Sequence, residues 1–517
     1  MKKLSNLEYL KLNKFEKFLY KLISFFVAIP VFFQNLGIKI WNSIKKFGLK
    51  IKNLALDIFN TFKNGKWQTK VSYLIMGFGN ATRGQILRGV FFFLFEVIFI
   101  LYMVFWGGKW LSQFGSLGEV AQLKVYDPVL DTYVFVEGDN SFKILLYGLL
   151  TIFFIIGFIY TWYINVKQNK IIEEIIASGK KVKSGKDDLK SLVDDQFHKT
   201  LLSLPLIGIM IFTVLPIIFM ILVAFTNYGY VDANGTKYDG VVNLFSWVGL
   251  DNFNELTVWS NGSSNMGVAF GEILAWTMMW AVLATFTNYF LGMFVAMLIN
   301  KKGIKFKKGW RCILVLTIAI PQFISLLYVS KAFDTNGLVN GILMDLGIIK
   351  DINGLIPFWG NPTLARVMVV LINIWIGIPY LVLITTGVLM NIPQDLYESA
   401  RMDGANAWNQ YVKITLPYML FVTGPYLLTS FIGNINNFNV IYLLTGGEPT
   451  NPDLLTSGGS AGYTDLLVTW LFKITTGASG DYRLASVIGI MIFLVVAIIS
   501  VIVYNVMPST KNEEDFS

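Results

Sequence analysis

The sequence predicts an all-α fold, a polytopic bundle of about eight membrane-spanning helices, and three observations support this. Hydrophobic residues make up 54% of the 517 positions and charged residues only 15%, well below the quarter that is typical of soluble proteins. The apolar residues are concentrated in long runs, and in lipid a chain must satisfy its backbone hydrogen bonds internally, as a helix does. Phe and Trp are numerous, at 42 and 14 residues, as expected for lipid-facing and interfacial positions.

A spanning helix needs about 20 mostly apolar residues to cross the hydrocarbon layer. The runs that meet this requirement occupy approximately residues 88–106, 143–166, 202–226, 273–299, 311–330, 364–388, 418–443 and 484–506. Lys and Arg favour cytoplasmic loops. With the N-terminus inside, 33 of the 42 Lys and Arg residues fall in cytoplasmic segments, and two of the other nine, Lys143 and Arg366, lie at span edges. The charge distribution therefore predicts that both termini are cytoplasmic.

The first 80 residues are basic and partly apolar. Lysines at positions 2, 3, 11, 14, 17 and 21 alternate with Leu and Phe, a pattern typical of an amphipathic helix on anionic lipid. Residues 22–41 are apolar enough for a ninth span, but Pro30 and Gln34 interrupt them and Lys39 ends the run. A signal peptide is disfavoured because no small-residue cleavage site follows. We therefore expect an interfacial segment.

Several kinds of chemistry are excluded by the residues present. With one cysteine, Cys312, and one histidine, His198, the chain can form neither an internal disulfide nor a Cys/His metal site. The acidic pairs at 187–188 and 194–195 lie in a Lys-rich linker, which disfavours a glycosyltransferase or hydrolase. The segment 179–186 is similar to a phosphate-binding loop, but it has one residue too many between its glycines. We expect no cofactor in this chain, and no nucleic-acid partner.

The segment 391–417, between the sixth and seventh spans, predicts a helix-turn-helix element. Pro393 suits the first turn of a helix, and Asp395 complements the positive end of its dipole. Gly404 permits a turn with a left-handed backbone. We expect a second short helix to follow, with Pro417 opening the next span. Such an element would face the cytoplasm and transmit a movement of a partner protein to the helical bundle.

This segment resembles the EAA loop of ATP-binding-cassette (ABC) importer permeases. Glu398, Ala400 and Gly404 match its consensus, as does the later run Ile414-Thr-Leu-Pro, while Ser399 replaces a usual alanine. The resemblance implies a type I ABC importer permease fold, in which this loop is a coupling helix that docks in a cleft of an ATPase subunit. The residues that it implies for coupling are Glu398, Ser399, Ala400, Asp403, Gly404, Ile414, Leu416 and Pro417.

Two polar stripes lie within the sixth and seventh spans. Asn373, Gly377 and Tyr380 share one helical face of the sixth span. The seventh span carries a second stripe, formed by Ser430, Gly433, Asn434 and Asn437. Amides pair with hydroxyl groups and aromatic rings stack on sugar faces, so two uncharged stripes suit a neutral sugar. The same residues also suit interhelical hydrogen bonds and close helix packing, and the pattern alone leaves both interpretations open.

Other features are similar to the larger permeases of maltose/maltodextrin importers. They are the eight spans, the outside segment 461–473, Asn434–Phe438 and Leu443–Gly447. The similarity covers residues 200–510 well and the first two spans loosely. Enterobacterial members carry a large folded insert between the third and fourth spans, whereas 227–271 is short here. By similarity, the residues expected to line a midmembrane sugar site are Asn373, Ile376, Gly377, Tyr380, Ser430, Gly433, Asn434 and Asn437. Gly433 stands where a bulkier aromatic residue can occur, which leaves room for longer oligosaccharides.

The resemblance implies an alternating-access permease for maltose or maltodextrin in the cytoplasmic membrane of a prokaryote. Its implied partners are a second permease in a heterodimer, two ATPase subunits that bind ATP and Mg²⁺, an extracellular sugar-binding protein and membrane lipid. The alternatives are a permease for another neutral oligosaccharide and an ion-coupled secondary transporter. The second alternative predicts several charges within the spans, and Glu96 is too isolated for a relay. We expect Glu96 to stay neutral or to pair with a neighbouring helix.

These predictions divide the chain into four parts. They are a basic cytoplasmic or interfacial region (1–87), the first two spans with a charged linker (88–199), a permease core of six spans that includes the coupling loop (200–510), and a cytoplasmic tail (511–517).

Overall fold

The computed structural model describes residues 14–120, 124–135, 138–182, 184–229, 244–257, 266–301, 303–456, 459–477 and 480–506. The N-terminal lysines at positions 2, 3 and 11, the parts 230–243 and 258–265 of the loop 227–271, and the tail 511–517 lie outside these residues. The helices in the first half are α1 (Lys14–Asn64), α2 (Trp67–Val71), α3 (Phe78–Ala81), α4 (Ile86–Tyr102), α5 (Gly108–Gln113), α6 (Ser141–Ala177), α7 (Gly185–Val193), α8 (Phe197–Ile209), α9 (Leu215–Val223) and α10 (Asp251–Thr257).

The second half is also mainly helical. Its helices are α11 (Met266–Asn300), α12 (Lys307–Ala319), α13 (Gln322–Ala332), α14 (Leu338–Asp345), α15 (Pro362–Met390), α16 (Gln394–Met402), α17 (Ala407–Gln410), α18 (Leu416–Ile435), α19 (Phe438–Leu444), α20 (Leu467–Thr476) and α21 (Tyr482–Val506). Short π segments at Met103–Gly107, Met210–Val214 and Tyr411–Thr415 join consecutive helices, and Ile352–Gly354 is a 3₁₀ turn.

The strands form two small antiparallel hairpins that the sequence did not predict. One pairs β1 (Lys124–Asp127) with β2 (Thr132–Phe135), and the other pairs β3 (Thr450–Thr456) with β4 (Gly459–Gly462). Both lie in connections between spans, so the helical bundle remains the body of the fold.

The predicted fold class is confirmed by the long apolar helices. Within the described residues, seven helices are long and apolar enough to cross a membrane: Ile86–Gln113, Ser141–Ala177, Phe197–Val223, Met266–Asn300, Pro362–Met390, Ala407–Ile435 and Tyr482–Asn505. The eighth predicted span, fifth in chain order, is a bent pair formed by α12 and α13.

The predicted fifth span, over residues 311–330, is strongly bent. The axes of α12 and α13 differ by 86°, and the break falls at Ile320, which has an extended backbone, and at Pro321. Proline lacks an N–H for the helix ladder and disfavours a helical conformation at the residue before it. The chain therefore turns sharply within this predicted span.

The predicted seventh span, 418–443, has different ends. The expected second short helix is α17, and Pro417 lies in the first turn of α18, as predicted. The π segment between them joins the two helices into one helical run from Ala407 to Ile435. The π segment Tyr411–Thr415 lies immediately before Pro417. The wider turn accommodates a residue that has no N–H to donate.

By contact the chain divides into two compact units, residues 1–112 with 147–210 and residues 113–146 with 211–517. In the first unit, α1 runs unbroken through residues 22–41, and its position on or in the membrane stays a prediction. A hairpin formed by α2, α3 and their connection packs against α4 and α6. Asn165 of α6 donates from Nδ2 to the carbonyl oxygen of Ser72 at 2.8 Å and accepts from the N–H of Gly77 at 2.9 Å.

Glu96 has its partner in this hairpin rather than on a neighbouring spanning helix. Its Oε2 accepts a hydrogen bond from the main-chain N–H of Met76 at 2.7 Å, and the side chain is buried. Met76 itself is fully buried. The carboxylate therefore satisfies a backbone donor that has no access to water.

The core of the second unit is arranged along α11. Three clusters of buried side chains follow one another down this helix, around Phe270, Trp280 and Met293. The approach of α15 to α11 is close at Gly292, where an added Cβ would lie 2.6 Å from the Cβ of Leu381. Helix α11 is thus the central support of this unit.

Candidate functional site

The turn of the coupling loop depends on the left-handed backbone of Gly404. Its φ is 76°, so the predicted turn is confirmed. The N–H of Ala405 donates to the carbonyl of Ala400 at 2.8 Å, and that of Gly404 donates to Arg401 at 3.0 Å. These two bonds form a Schellman motif, which ends α16 and favours glycine at this position.

Side-chain contacts hold the two arms of the loop together. The hydroxyl groups of Tyr397 on α16 and Thr415 at the base of the next helix lie 2.9 Å apart. Asn406 accepts from the N–H of Asn409 at 2.8 Å and so caps the second helix. Gln410 Nε2 donates to the carbonyl of Ala405 at 2.9 Å. The loop is therefore a rigid knob rather than a flexible connection.

The predicted coupling residues divide into an exposed set and a supporting set. Those on the surface are Glu398, Ser399, Asp403, Gly404 and Pro417, and those partly buried are Ala400, Ile414 and Leu416. Large apolar side chains are also exposed on the knob: Met402 at 83%, Trp408 at 67% and Leu396 at 47%. The sequence patterns included Leu396 and Trp408 but missed Met402, whose position beside the turn gives no periodic signal.

The predicted stripe on α15 is only partly accessible. Asn373 is buried, and its Nδ2 has no hydrogen-bond partner among the residues that the structure describes. Gly377 faces Asn288 of α11, and an added Cβ would lie 2.4 Å from Asn288 Nδ2. Asn288 Oδ1 is also buried without a partner. Within the described residues, a buried donor and a buried acceptor in this region are thus unsatisfied.

The stripe on the seventh span is interrupted. Helix α18 ends at Ile435, and Asn437 caps α19 by accepting from the N–H of Val440 at 3.4 Å. The expectation that Asn437 shares one helical face with Ser430 is therefore wrong, because two consecutive asparagines at 436–437 favour a cap over a continued helix.

Asn434 is already hydrogen-bonded to other residues of this chain. Its Nδ2 donates to Thr285 Oγ1 of α11 at 3.0 Å, and its Oδ1 accepts from Asn437 Nδ2 at 3.2 Å. Trp280 Nε1 donates to its carbonyl oxygen at 3.1 Å. The interhelical role that the sequence left open is thus real for Asn434 and Asn437.

Gly433 and Ser430 lie closer to open space. Gly433 is exposed, and an added Cβ there would meet no atom within 4 Å. Ser430 is partly buried, one turn after Tyr426, whose ring centre lies 6.4 Å from that of Tyr380. The room at Gly433 agrees with the interpretation that a large aromatic side chain is missing from this position.

Ile376 and Tyr380 line a groove of 370 Å³ at the break between α12 and α13. Gln322, Ser325 and Trp375 also line it, and Tyr380 is 52% exposed. An amide, a hydroxyl and two aromatic rings form a surface that can bind an uncharged polyol. The sequence analysis missed Gln322, Ser325 and Trp375. The polar residues Gln322 and Ser325, which follow Pro321, could have indicated this part of the groove.

The candidate site is therefore assembled from several helices. The structure brings Ile376 and Tyr380 to the groove, and it sets Gly377 against Asn288 of α11. Asn434 is hydrogen-bonded to Thr285 and to Asn437. Among the described residues no group of three or more His, Cys, Asp or Glu side chains could hold a metal ion. The candidate site presents side-chain amide groups, hydroxyl groups and aromatic rings for binding.

Comparison with known proteins shows which family and which relatives this chain is similar to. Residues 288–511 match the family described as binding-protein-dependent transport system inner membrane component. The maltodextrin transport system permease protein MalC of Streptococcus pneumoniae is 31% identical over 85% of this chain and 96% of its own. The galactooligosaccharides transport system permease protein GanP of Bacillus subtilis is 30% identical over 85% and 97%. The maltose/maltodextrin transport system permease protein MalF of Klebsiella aerogenes is 36% identical over 49% of this chain and 48% of that protein.

The described residues contain seven candidate spans, or eight with the bent pair, and a rigid knob follows one of them, as expected for a transport permease. The chain belongs to the family of binding-protein-dependent transport system inner membrane components. It is a multi-pass membrane subunit of an ABC importer and not an enzyme.

Proposed function

We propose that this chain is the larger permease of a maltodextrin importer and moves a neutral oligosaccharide across the cytoplasmic membrane by alternating access. It pairs with a second permease, receives sugar from an extracellular binding protein and is driven by two ATPase subunits, which bind ATP and Mg²⁺. Residues 1–199 act as an N-terminal extension of two spans, and residues 200–510 act as the permease core.

The observation that carries this proposal is the continuity of one helix. The chain is helical without interruption from Ala407, in the knob, to Ile435, beside the polar site. At about 1.5 Å per residue, Trp408 and Asn434 lie about 40 Å apart on this helix. A displacement of the knob therefore moves Ser430, Gly433 and Asn434 directly, with no hinge of non-helical residues between them.

The knob has the surface expected for docking. Leu396, Met402 and Trp408 are exposed beside the acidic side chains of Glu398 and Asp403. Exposed apolar side chains with a charged rim are typical of protein interaction sites. The bias of Lys and Arg supports a cytoplasmic position for this loop and for both termini, on the side where the proposed ATPase subunits dock.

Uncharged chemistry at the polar site supports a neutral substrate. The groove at the α12–α13 break presents Gln322, Ser325 and Tyr380 and contains no ionisable carboxylate or amine. Open space at Gly433 favours a chain of several sugar units. MalC, named for maltodextrin, and GanP, named for galactooligosaccharides, each match 85% of this chain. Maltodextrin is proposed because two of the three relatives described are named for it.

The test is ATP hydrolysis by the complete transporter in proteoliposomes with its binding protein. Glucose oligomers of increasing length and galacto-oligosaccharides are compared as stimulants. We expect stimulation by α-linked glucose oligomers and at least tenfold less by galacto-oligosaccharides. The reverse order would overturn the choice of maltodextrin, and no stimulation by any neutral sugar would overturn the substrate class.

The docking role is tested separately with Trp408→Ala. We expect loss of the ATPase subunits during purification, whereas Trp375→Ala, which removes an exposed tryptophan outside the knob, retains them. Equal retention in both variants would contradict ATPase docking at the knob.

A further inference from the structure

Arg366 lies where a cation is disfavoured. It is the fifth residue of α15, close to the N-terminus, and the helix dipole places partial positive charge at this end. This N-terminal end of α15 lies on the membrane side opposite the coupling loop, because the loop follows the C-terminus of the same helix. Arg366 is therefore on the side where Lys and Arg are less frequent. A residue placed against both trends requires compensating contacts.

Two aromatic rings and one carbonyl hold the guanidinium. Its central carbon lies 4.5 Å from the ring centre of Trp276 and 5.7 Å from that of Tyr463. Nε donates to the main-chain oxygen of Tyr463 at 2.7 Å. In the described part of the chain, no carboxylate oxygen lies within 4.0 Å of this group, although Glu272 is near enough to act on its charge. The side chain is fixed, but it has no ion pair.

A groove of 430 Å³ begins at this fixed cation. It lies between α11 and α15, with Trp276, Arg366 and Tyr463 at one end and Met279, Leu283 and Leu371 among its apolar lining. Along both helices the lining advances toward the coupling-loop side, by about 10 Å from Trp276 to Leu283. Met279 and Leu371 are 57% and 54% exposed. The groove therefore has a cationic end at the membrane interface and an apolar course into the hydrocarbon layer.

We propose that this groove binds an anionic glycerophospholipid, with its phosphate at Arg366 and one acyl chain along Met279, Leu283 and Leu371. The cation complements the phosphate, and the apolar wall complements the chain. Trp276 and Tyr463 frame the level where head and chain meet, as interfacial aromatic residues do. The nearby charge of Glu272 weakens the attraction for a free anion, so the acyl chain is needed for binding. The proposal does not depend on which sugar is transported.

The test uses the assembled transporter in nanodiscs that contain phosphatidylglycerol and phosphatidylcholine in equal amounts. After extraction, native mass spectrometry counts the lipids that each complex retains. We expect the native complex to retain phosphatidylglycerol at least tenfold over phosphatidylcholine. Arg366→Gln should lose this preference, Arg366→Lys should keep part of it, and Lys350→Gln, which removes an exposed cation of another loop, should keep all of it. Equal retention by Arg366→Gln and the native complex would overturn the proposal.

Two further measurements distinguish the lipid from other occupants. Val370→Phe fills the groove without changing its charge, and it should lower retention of the tightly bound lipid. A photoreactive residue at position 371 should crosslink to phospholipid; crosslinking to the second permease instead would overturn the proposal. Inorganic phosphate should not compete with the lipid, and effective competition would show that the acyl chain contributes nothing.

Discussion

Asn434 and Thr285 are joined by a hydrogen bond of 3.0 Å, from Nδ2 of the first to Oγ1 of the second. The bond fixes the end of the helix that begins in the coupling knob to the middle of α11. One turn further along α11, Asn288 lies against Gly377 of α15. A single helix outside the predicted site thus supports both polar stripes.

Replacing Asn434 with Ala should weaken sugar transport without preventing assembly. The change removes a polar group oriented by Thr285 and Asn437, and a lost hydrogen bond of about 1 kcal/mol lowers binding several-fold. Initial uptake rates in proteoliposomes should show an increase in KM of roughly fivefold. Asn505→Ala, which removes an exposed amide bonded only within its own helix, is the matched control.

Thr285→Val separates orientation from direct binding. If Thr285 acts by holding Asn434, the single variant raises KM by about threefold, and the double variant equals Asn434→Ala alone because the effects are not additive. Additive effects would show that Thr285 contributes independently. A KM for Asn434→Ala equal to that of Asn505→Ala would remove Asn434 from the proposed site.

Gly404→Ala should weaken the coupling of ATP hydrolysis to transport. The native φ of 76° places this residue in the left-handed region, where a side chain costs about 1–2 kcal/mol. Gly303→Ala is a close control, since Gly303 has a φ of 95° and open space around it. Both variants should lose similar stability, and only Gly404→Ala should lower the number of sugars moved per ATP hydrolysed.

Gly404→Pro should have the stronger effect. Proline fixes φ near −65° and removes the N–H that donates to Arg401, so the Schellman motif cannot form. We expect ATP hydrolysis by the assembled transporter to lose its stimulation by sugar. Normal stimulation in this variant would show that the turn is not needed for coupling.

The sequence was sufficient to predict the helical bundle and the turn, because both depend on local properties. Runs of about 20 apolar residues predict spans by length alone, and the glycine at position 404 predicts a left-handed turn. The break at Pro321 was underestimated, since proline is tolerated in many spanning helices when neighbouring groups compensate. The angle of the bend between α12 and α13 depends on tertiary packing, which the sequence pattern does not reveal.

The candidate site was predicted less completely, because it also depends on tertiary packing. Periodicity identified Asn373, Gly377 and Tyr380 as one face of α15, but it could not show which part of that face another helix covers. Asn288 and Gln322 come close to this face only when the chain is folded. Polar residues within an apolar run were the available signal, and Asn288 follows two threonines in such a run.

Glu96→Ala should destabilise the first unit, whereas Glu96→Gln should be tolerated. Alanine leaves the buried N–H of Met76 without its acceptor, which costs about 1–3 kcal/mol. Glutamine keeps one carbonyl oxygen at the same place. Thermal denaturation of the detergent-solubilised transporter measures the difference, and Glu174→Ala, at an exposed position of α6, should have no effect. Equal loss of stability in the Gln and Ala variants would show that the negative charge, rather than an acceptor, is required.

Asp481 should make stability depend on pH. It lies just before α21, where its Oδ1 accepts from the N–H of Leu484 at 3.1 Å. Burial raises its pKa from 3.8 to about 6, and the nearby Arg483 opposes this shift only in part. The folded protein therefore binds the proton more tightly than the unfolded chain. This contribution to stability is fully present below about pH 3.8, is lost as pH rises toward 6, and is absent above that range.

Asp481→Asn should remove this dependence, since an amide keeps the capping oxygen and does not titrate in this range. The melting temperature of the variant minus that of the native transporter should increase between pH 4 and pH 6 and stay constant above pH 7. Measuring the difference cancels the titration of carboxylates that both proteins share. Asp351→Asn controls for the loss of a capping carboxylate, because Asp351 accepts from the N–H of Gly354 at 3.1 Å in an exposed turn. A difference that is constant across the whole range would show that burial does not raise the pKa of Asp481.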